Sequence, residues 1–113
     1  MNTHHTKLKG DIGLSYVIHD LVKKNYYVCL PVTEHAPFDI IAVGDSTPIR
    51  IQVKYRSLSK GRFEISMTNN WGNVHKGCVI GKRYTQSDVD FIAVTDGNVV
   101  AYVPMSELVN LTG

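Results

Sequence analysis

Cysteine is scarce in this chain, and long apolar runs are absent. Only Cys29 and Cys78 occur among the 113 residues, too few for the disulfide framework of a small secreted domain. Neither has a second Cys or a His at a zinc-finger spacing. No apolar run approaches the roughly 20 residues that a membrane helix needs, and the first residues lack the basic-then-apolar order of a secretory signal. We therefore expect a cytoplasmic protein with no membrane partner.

Basic residues are missing from one end of the chain. Residues 84–113 carry four acidic side chains and no Lys or Arg, whereas residues 50–83 carry eight basic side chains and a single acid. Such a concentration of positive charge favours a polyanionic partner, because Lys and Arg release condensed counterions from phosphates. A solvated basic face without a partner is the alternative interpretation.

The length allows one hydrophobic core, so we expect a single domain over residues 1–113. An apolar stripe at helical spacing predicts a helix over 11–24, with Asp11 at its positive end and Asn25 at its stop. Strands are predicted at 26–30, 38–43, 49–55 and 62–67, a long loop at 68–83, a hairpin of 90–94 with 99–103, and a short helix over 104–108. This order predicts an α/β (α+β) domain with a mixed central sheet flanked by helices.

The polar face of the third predicted strand is the most informative feature. Gln52 and Lys54 point to the same side, because strand side chains alternate. The short turn at 44–48 brings Asp39, on the preceding strand, close to both. A carboxylate that binds Mg²⁺ and a lysine that orients water are suited to phosphodiester cleavage, and Mg²⁺ takes only one or two protein carboxylates.

Each of these residues also has a purely structural interpretation. Asp39 would cap a turn, although burying an acid in an apolar strand is costly without a cation, and Lys54 would be a solvated strand lysine. The basic residues of the middle segment would protect a sheet edge instead of contacting DNA, and Trp71 would be either a hydrophobic plug or a DNA contact. The candidate DNA-binding residues are Arg50, Arg56, Lys60, Arg62, Lys76, Lys82 and Arg83.

The spacing of Phe38-Asp39 and Gln52-Val53-Lys54 resembles the core of the PD-(D/E)XK nuclease superfamily, in the variant with Gln in place of the second acid. Several further segments are similar, in the same order, to the group I intron homing endonucleases of that superfamily. They are Lys9-Gly10-Asp11-Ile12-Gly13, Arg56-Ser57, Tyr84 with Asp88-Val89-Asp90-Phe91, and Tyr102-Val103-Pro104. The resemblance implies a restriction-endonuclease-like core, Asp39, Gln52 and Lys54 as catalytic residues, and an oligomer.

One position departs from this pattern. The homing endonucleases carry a glutamate after the segment at 9–13 that completes the metal site, and this chain has Leu14 there. Asp11, three residues earlier on the same helix face, either replaces it as a metal ligand or is a plain acid at the helix N-terminus; Glu34 and Glu64 are further candidates. The loss of a carboxylate is also compatible with a weak or inactive nuclease.

Three functional hypotheses follow. The first is a Mg²⁺-dependent endonuclease for double-stranded DNA, with Mn²⁺ as an alternative ion, Asp39, Asp11 and the Val53 carbonyl as metal ligands, and a homodimer or homotetramer as the working unit. The second is a structure-selective nuclease similar to a Holliday junction resolvase. The third is a degenerate nuclease fold that serves as a DNA-binding subunit.

Overall fold

The computed structural model describes residues 5–58, 61 and 88–107. Its elements are α1 (His5–Lys23), β1 (Tyr27–Cys29), β2 (Ile40–Val43), β3 (Ile49–Tyr55), β4 (Phe91–Thr95) and β5 (Val100–Pro104). The five strands form one sheet in chain order. All neighbours are antiparallel except β3 and β4, which are parallel. This mixed sheet with a packed helix confirms the predicted fold class.

Helix α1 begins at His5, six residues before the predicted start, so placing Asp11 at the helix N-terminus was wrong. Asp11 is the seventh helical residue, and the first turn contains no acid. Tertiary contacts hold the middle of the helix. The Tyr16 hydroxyl donates to the Asn98 carbonyl at 2.7 Å, and Ile12 lies against Gly97. Both partners are more than 80 residues away in sequence, so local periodicity did not indicate the longer helix.

The C-terminal end of α1 follows the prediction closely. Asn25 has a left-handed conformation with φ of 70°, which Asn tolerates better than most residues. Its N–H donates to the Val22 carbonyl at 3.0 Å, and the Tyr26 N–H donates to the Leu21 carbonyl at 3.0 Å. These two bonds form a Schellman motif, which satisfies carbonyls that the helix end would leave unpaired.

The strands that surround the predicted site are also largely confirmed. β3 has the predicted bounds, β1 and β2 are shorter than predicted, and both hairpin strands start one residue later. The shift arises because Thr95 belongs to the strand, where its hydroxyl accepts from the Gly97 N–H at 2.9 Å and so closes the turn. Residues 105–107 are helical, as predicted, but Pro104, the predicted first residue of that helix, is instead the last residue of β5. The predicted strand 62–67, the loop 68–83 with Trp71, and Leu108 lie outside the described residues.

The sheet is covered by apolar side chains on both faces. On the first face, α1 packs through Val17 and Leu21 against Ile40, Ile51 and Ala93. On the second face, a smaller cluster contains Val89, Ile92, Val94 and Met105. Because Ile51 points to α1, its strand neighbours Gln52 and Lys54 project from the second face.

Candidate active site

Asp39 lies at the point where the β2–β3 ladder ends. The pairing of Ile40 with Ile51 places Asp39 opposite Gln52 and on the same face of the sheet. The Asp39 N–H donates to the Ile51 carbonyl at 2.9 Å, and its carboxylate Oδ2 accepts from the Val53 N–H at 2.8 Å. The side chain therefore replaces the next backbone acceptor of β2 and is fixed against β3.

Lys54 lies next to this carboxylate in a similarly sheltered position. Burial raises the pKa of Asp39 above its ordinary value, and the Val53 N–H and the Lys54 charge oppose that rise. Burial lowers the pKa of Lys54, the Arg56 charge lowers it further, and the Asp39 charge acts in the opposite direction. Each charge thus offsets part of the desolvation cost of the other. The structure brings together the acid and the lysine that the sequence pattern pairs.

Gln52 and the Val53 backbone complete this end of the sheet. Gln52 is half-buried, opposite Asp39 on β3. The N–H and C=O of one strand residue point to the same side of the strand, and the Val53 N–H points to Asp39. The Val53 carbonyl therefore lies on the Asp39 side, beyond Ile40, the first residue of β2.

The donor set at this position suits a hard divalent cation. One Asp39 oxygen is used by the Val53 N–H, and no N–H or O–H of the described residues donates to the other. A carboxylate oxygen, a backbone carbonyl and water are the ligands that Mg²⁺ prefers. Across the described part of the chain, no group of three or more His, Cys, Asp or Glu side chains forms a metal cluster.

Leu14 and Asp11 lie on α1, which packs over the first face of the sheet, opposite the face from which Gln52 and Lys54 project. Leu14 packs against the core cluster between α1 and the sheet, so the position of the family glutamate is occupied by an apolar side chain. Asp11 is exposed, and its metal-binding role stays a prediction. Glu34 is exposed in the segment before β2, and Glu64 lies outside the described residues.

Arg50 carries an ion pair that the sequence analysis missed. Its Nη2 donates to Asp90 Oδ1 at 3.0 Å and its Nε to Asp90 Oδ2 at 3.1 Å. The same carboxylate accepts from the Arg50 backbone N–H at 2.8 Å, and the Asp90 N–H donates to the Arg50 carbonyl at 2.9 Å. Hydrogen bonding by Arg50 lowers the pKa of Asp90. No sequence signal reports a pair 40 residues apart, because the parallel register of β3 and β4 creates it.

The other candidate DNA-binding residues divide into two groups. Arg56 follows β3, where its guanidinium donates to the Tyr55 carbonyl at 2.7 Å and its backbone N–H pairs with Thr95. The remaining five, Lys60, Arg62, Lys76, Lys82 and Arg83, lie outside the described residues. The DNA-binding assignments of all seven residues stay predictions.

A mixed sheet that presents an acid at the end of one strand and a Gln-x-Lys pair on its neighbour has the architecture of the PD-(D/E)XK nucleases. The model of the PD-(D/E)XK endonuclease family matches residues 4–112. The chain belongs to this family of endonucleases.

A solved structure is similar over most of the chain. It is the bacterial homing endonuclease I-Ssp6803I, with a TM-score of 0.74 and 20% sequence identity over 93% of this chain and 72% of that one. At this identity the likeness shows a shared fold. None of the curated proteins matches the chain in sequence.

No helix among the described residues has the length and apolar character to cross a membrane.

Proposed function

We propose that this protein is a Mg²⁺-dependent endonuclease for double-stranded DNA, similar in its reaction to the homing endonucleases. The observation that supports the proposal is the arrangement around Asp39. One carboxylate oxygen is held by the Val53 N–H at 2.8 Å, the other receives no hydrogen bond from the described residues, and the charge of Lys54 acts on the same group.

In this proposal Asp39 and the Val53 carbonyl hold the cation, and Asp11 is the candidate for a further ligand, directly or through water. A bound Mg²⁺ supplies Lewis-acid stabilisation of the negative charge that develops on the phosphate. Lys54 donates a hydrogen bond to the attacking water or to the scissile phosphate, which orients the two for reaction. Gln52 positions a water molecule of the site through its side-chain amide.

A supercoiled plasmid tests the proposal, with cleavage followed with and without Mg²⁺. Asp39→Asn keeps the size of the side chain and an acceptor for the Val53 N–H but removes the charge, so we expect cleavage to fall at least a hundredfold. Asp45→Asn makes the same change at an exposed acid in the β2–β3 turn and is expected to cleave like the wild type. Equal cleavage by Asp39→Asn and the wild type contradicts the assigned site.

One observation favours a second candidate function, that of a DNA-binding subunit without cleavage. Leu14 stands at the sequence position of the family glutamate and packs against the core, so this position supplies no carboxylate that would help Asp39 to hold a cation. In the same plasmid assay, retention of DNA binding with no cleavage in either Mg²⁺ or Mn²⁺ supports this second function. A four-way junction compared with a linear duplex of matched sequence tests structure-selective cleavage.

Cleavage of both strands sets a requirement on the assembly. A domain of this size covers about one turn of duplex or less, so two strand breaks need two copies related by a twofold axis. A homodimer or homotetramer is therefore part of the proposal.

A further inference from the structure

The N-terminal half of α1 extends past the end of the sheet at which Asp39 and Lys54 lie. Gly13 is the first buried residue of the helix among residues 6–23. A Cβ at this glycine would lie 3.5 Å from Tyr55, the final residue of β3, and 3.5 Å from Thr95. Eight further residues lead back to His5, which at 1.5 Å per residue is roughly 12 Å of helix. The side chains of residues 6–12 are exposed.

Lys9 is the cation on this extension that points back toward the sheet. It lies four residues before Gly13 and eight before the buried Val17, so the three residues follow one side of the helix. Its Nζ lies 6.0 Å from the centre of the Tyr55 ring. The ammonium group therefore lies over the C-terminal end of β3, one residue beyond Lys54.

Contacts with the β4–β5 hairpin hold α1 in place where this extension begins. The Tyr16 hydroxyl is bonded to Asn98, and a Cβ at Gly97 would come within 3.1 Å of Ile12. Among the described residues, Lys9 forms no ion pair. Asp11, two residues further, does not face it on the helix. The charge of Lys9 is thus available and is presented from a fixed support.

We propose that Lys9 binds a backbone phosphate of duplex DNA beside the phosphate that is cut. This inference rests on the proposed function, because it places the scissile phosphate at Asp39 and Lys54. A duplex laid across the C-terminal end of β3 meets the extension of α1 on one face of the sheet and Lys54 on the other. A single Lys at the flanking phosphate adds affinity and holds the strand in register without reading its sequence.

The salt dependence of binding measures this contact directly. A 30-base-pair duplex of mixed sequence is titrated in EDTA, where cleavage does not interfere, at several salt concentrations. One lost phosphate contact reduces the slope of log K against log salt by about 0.9 and weakens binding about eightfold near 0.1 M salt. We expect this change for Lys9→Gln and its restoration in Lys9→Arg, with an unchanged thermal midpoint because the side chain is exposed.

Lys23→Gln is the matched control, since it removes the same charge from an exposed position at the opposite end of the same helix. Its salt slope is expected to equal that of the wild type. If Lys9→Gln keeps the wild-type slope, or Lys23→Gln loses as much, the inference is wrong while the proposed function stands. If the wild type itself shows no salt-dependent binding to the duplex, the proposed function fails with it.

Discussion

At the scale of single residues, the half-buried position of Asp39 makes the ionised form of its carboxylate unfavourable for stability. The Val53 N–H and the Lys54 charge support the carboxylate, but burial outweighs them and raises its pKa. A raised pKa means that the ionised carboxylate costs folding free energy at neutral pH. Charged groups that reduce stability are typical of functional sites.

The pH dependence of stability reports this cost. We expect Asp39→Asn to raise the thermal midpoint at pH 7, because the amide removes the unfavourable charge and keeps an acceptor for Val53. The gain should shrink as the pH falls through the raised pKa, and it should vanish below the pKa of the unfolded chain, about 3.9. Thermal unfolding across this pH range measures the difference in midpoint between the variant and the wild type. Asp45→Asn, at an exposed position, is the control, and its difference in midpoint should not change with pH. A lower midpoint of Asp39→Asn at every pH contradicts this account.

At the scale of elements, the ion pair between Arg50 and Asp90 fixes the parallel pairing that carries the site. Asp90 accepts from both the guanidinium and the backbone N–H of Arg50, just before β4 begins. This fixes how β4 lies along β3, and the register places Ile92 beside Gln52 and Val94 beside Lys54. Because both side chains are partly exposed, the ion pair contributes less to stability than the hydrogen bond from the Arg50 backbone N–H to Asp90.

Two substitutions at Asp90 separate these contributions. Asp90→Ala leaves the Arg50 N–H without its acceptor and should reduce the free energy of unfolding by about 1–3 kcal/mol. Asp90→Asn keeps an acceptor and loses only the charge, so we expect a loss of about 0–1 kcal/mol. Urea unfolding at neutral pH measures both. If both variants lose the same free energy of unfolding, the hydrogen bond from the Arg50 N–H does not supply the larger part of the stabilisation by Asp90.

At the scale of the whole molecule, the features that could be predicted from the sequence are those set by residues close together in the chain. The alternation of β3 and the turn before it predict that Asp39, Gln52 and Lys54 meet, and the structure places Asp39 opposite Gln52. The length of α1 and the pairing of Arg50 with Asp90 were not predictable, because contacts between distant segments create them. Arg50 is an example of a basic residue that looks free in the sequence and is held by a carboxylate in the fold.

The most direct test of the account is the separation of cleavage from binding in Lys54→Met. Methionine retains the apolar stem of this half-buried side chain and removes only the ammonium group. With Mg²⁺ and plasmid DNA, we expect the cleavage rate to fall about 10²–10⁴-fold, whereas duplex binding in EDTA should fall less than about tenfold. Cleavage by a folded Lys54→Met protein at the wild-type rate would contradict a hydrolytic site built on Asp39 and Lys54.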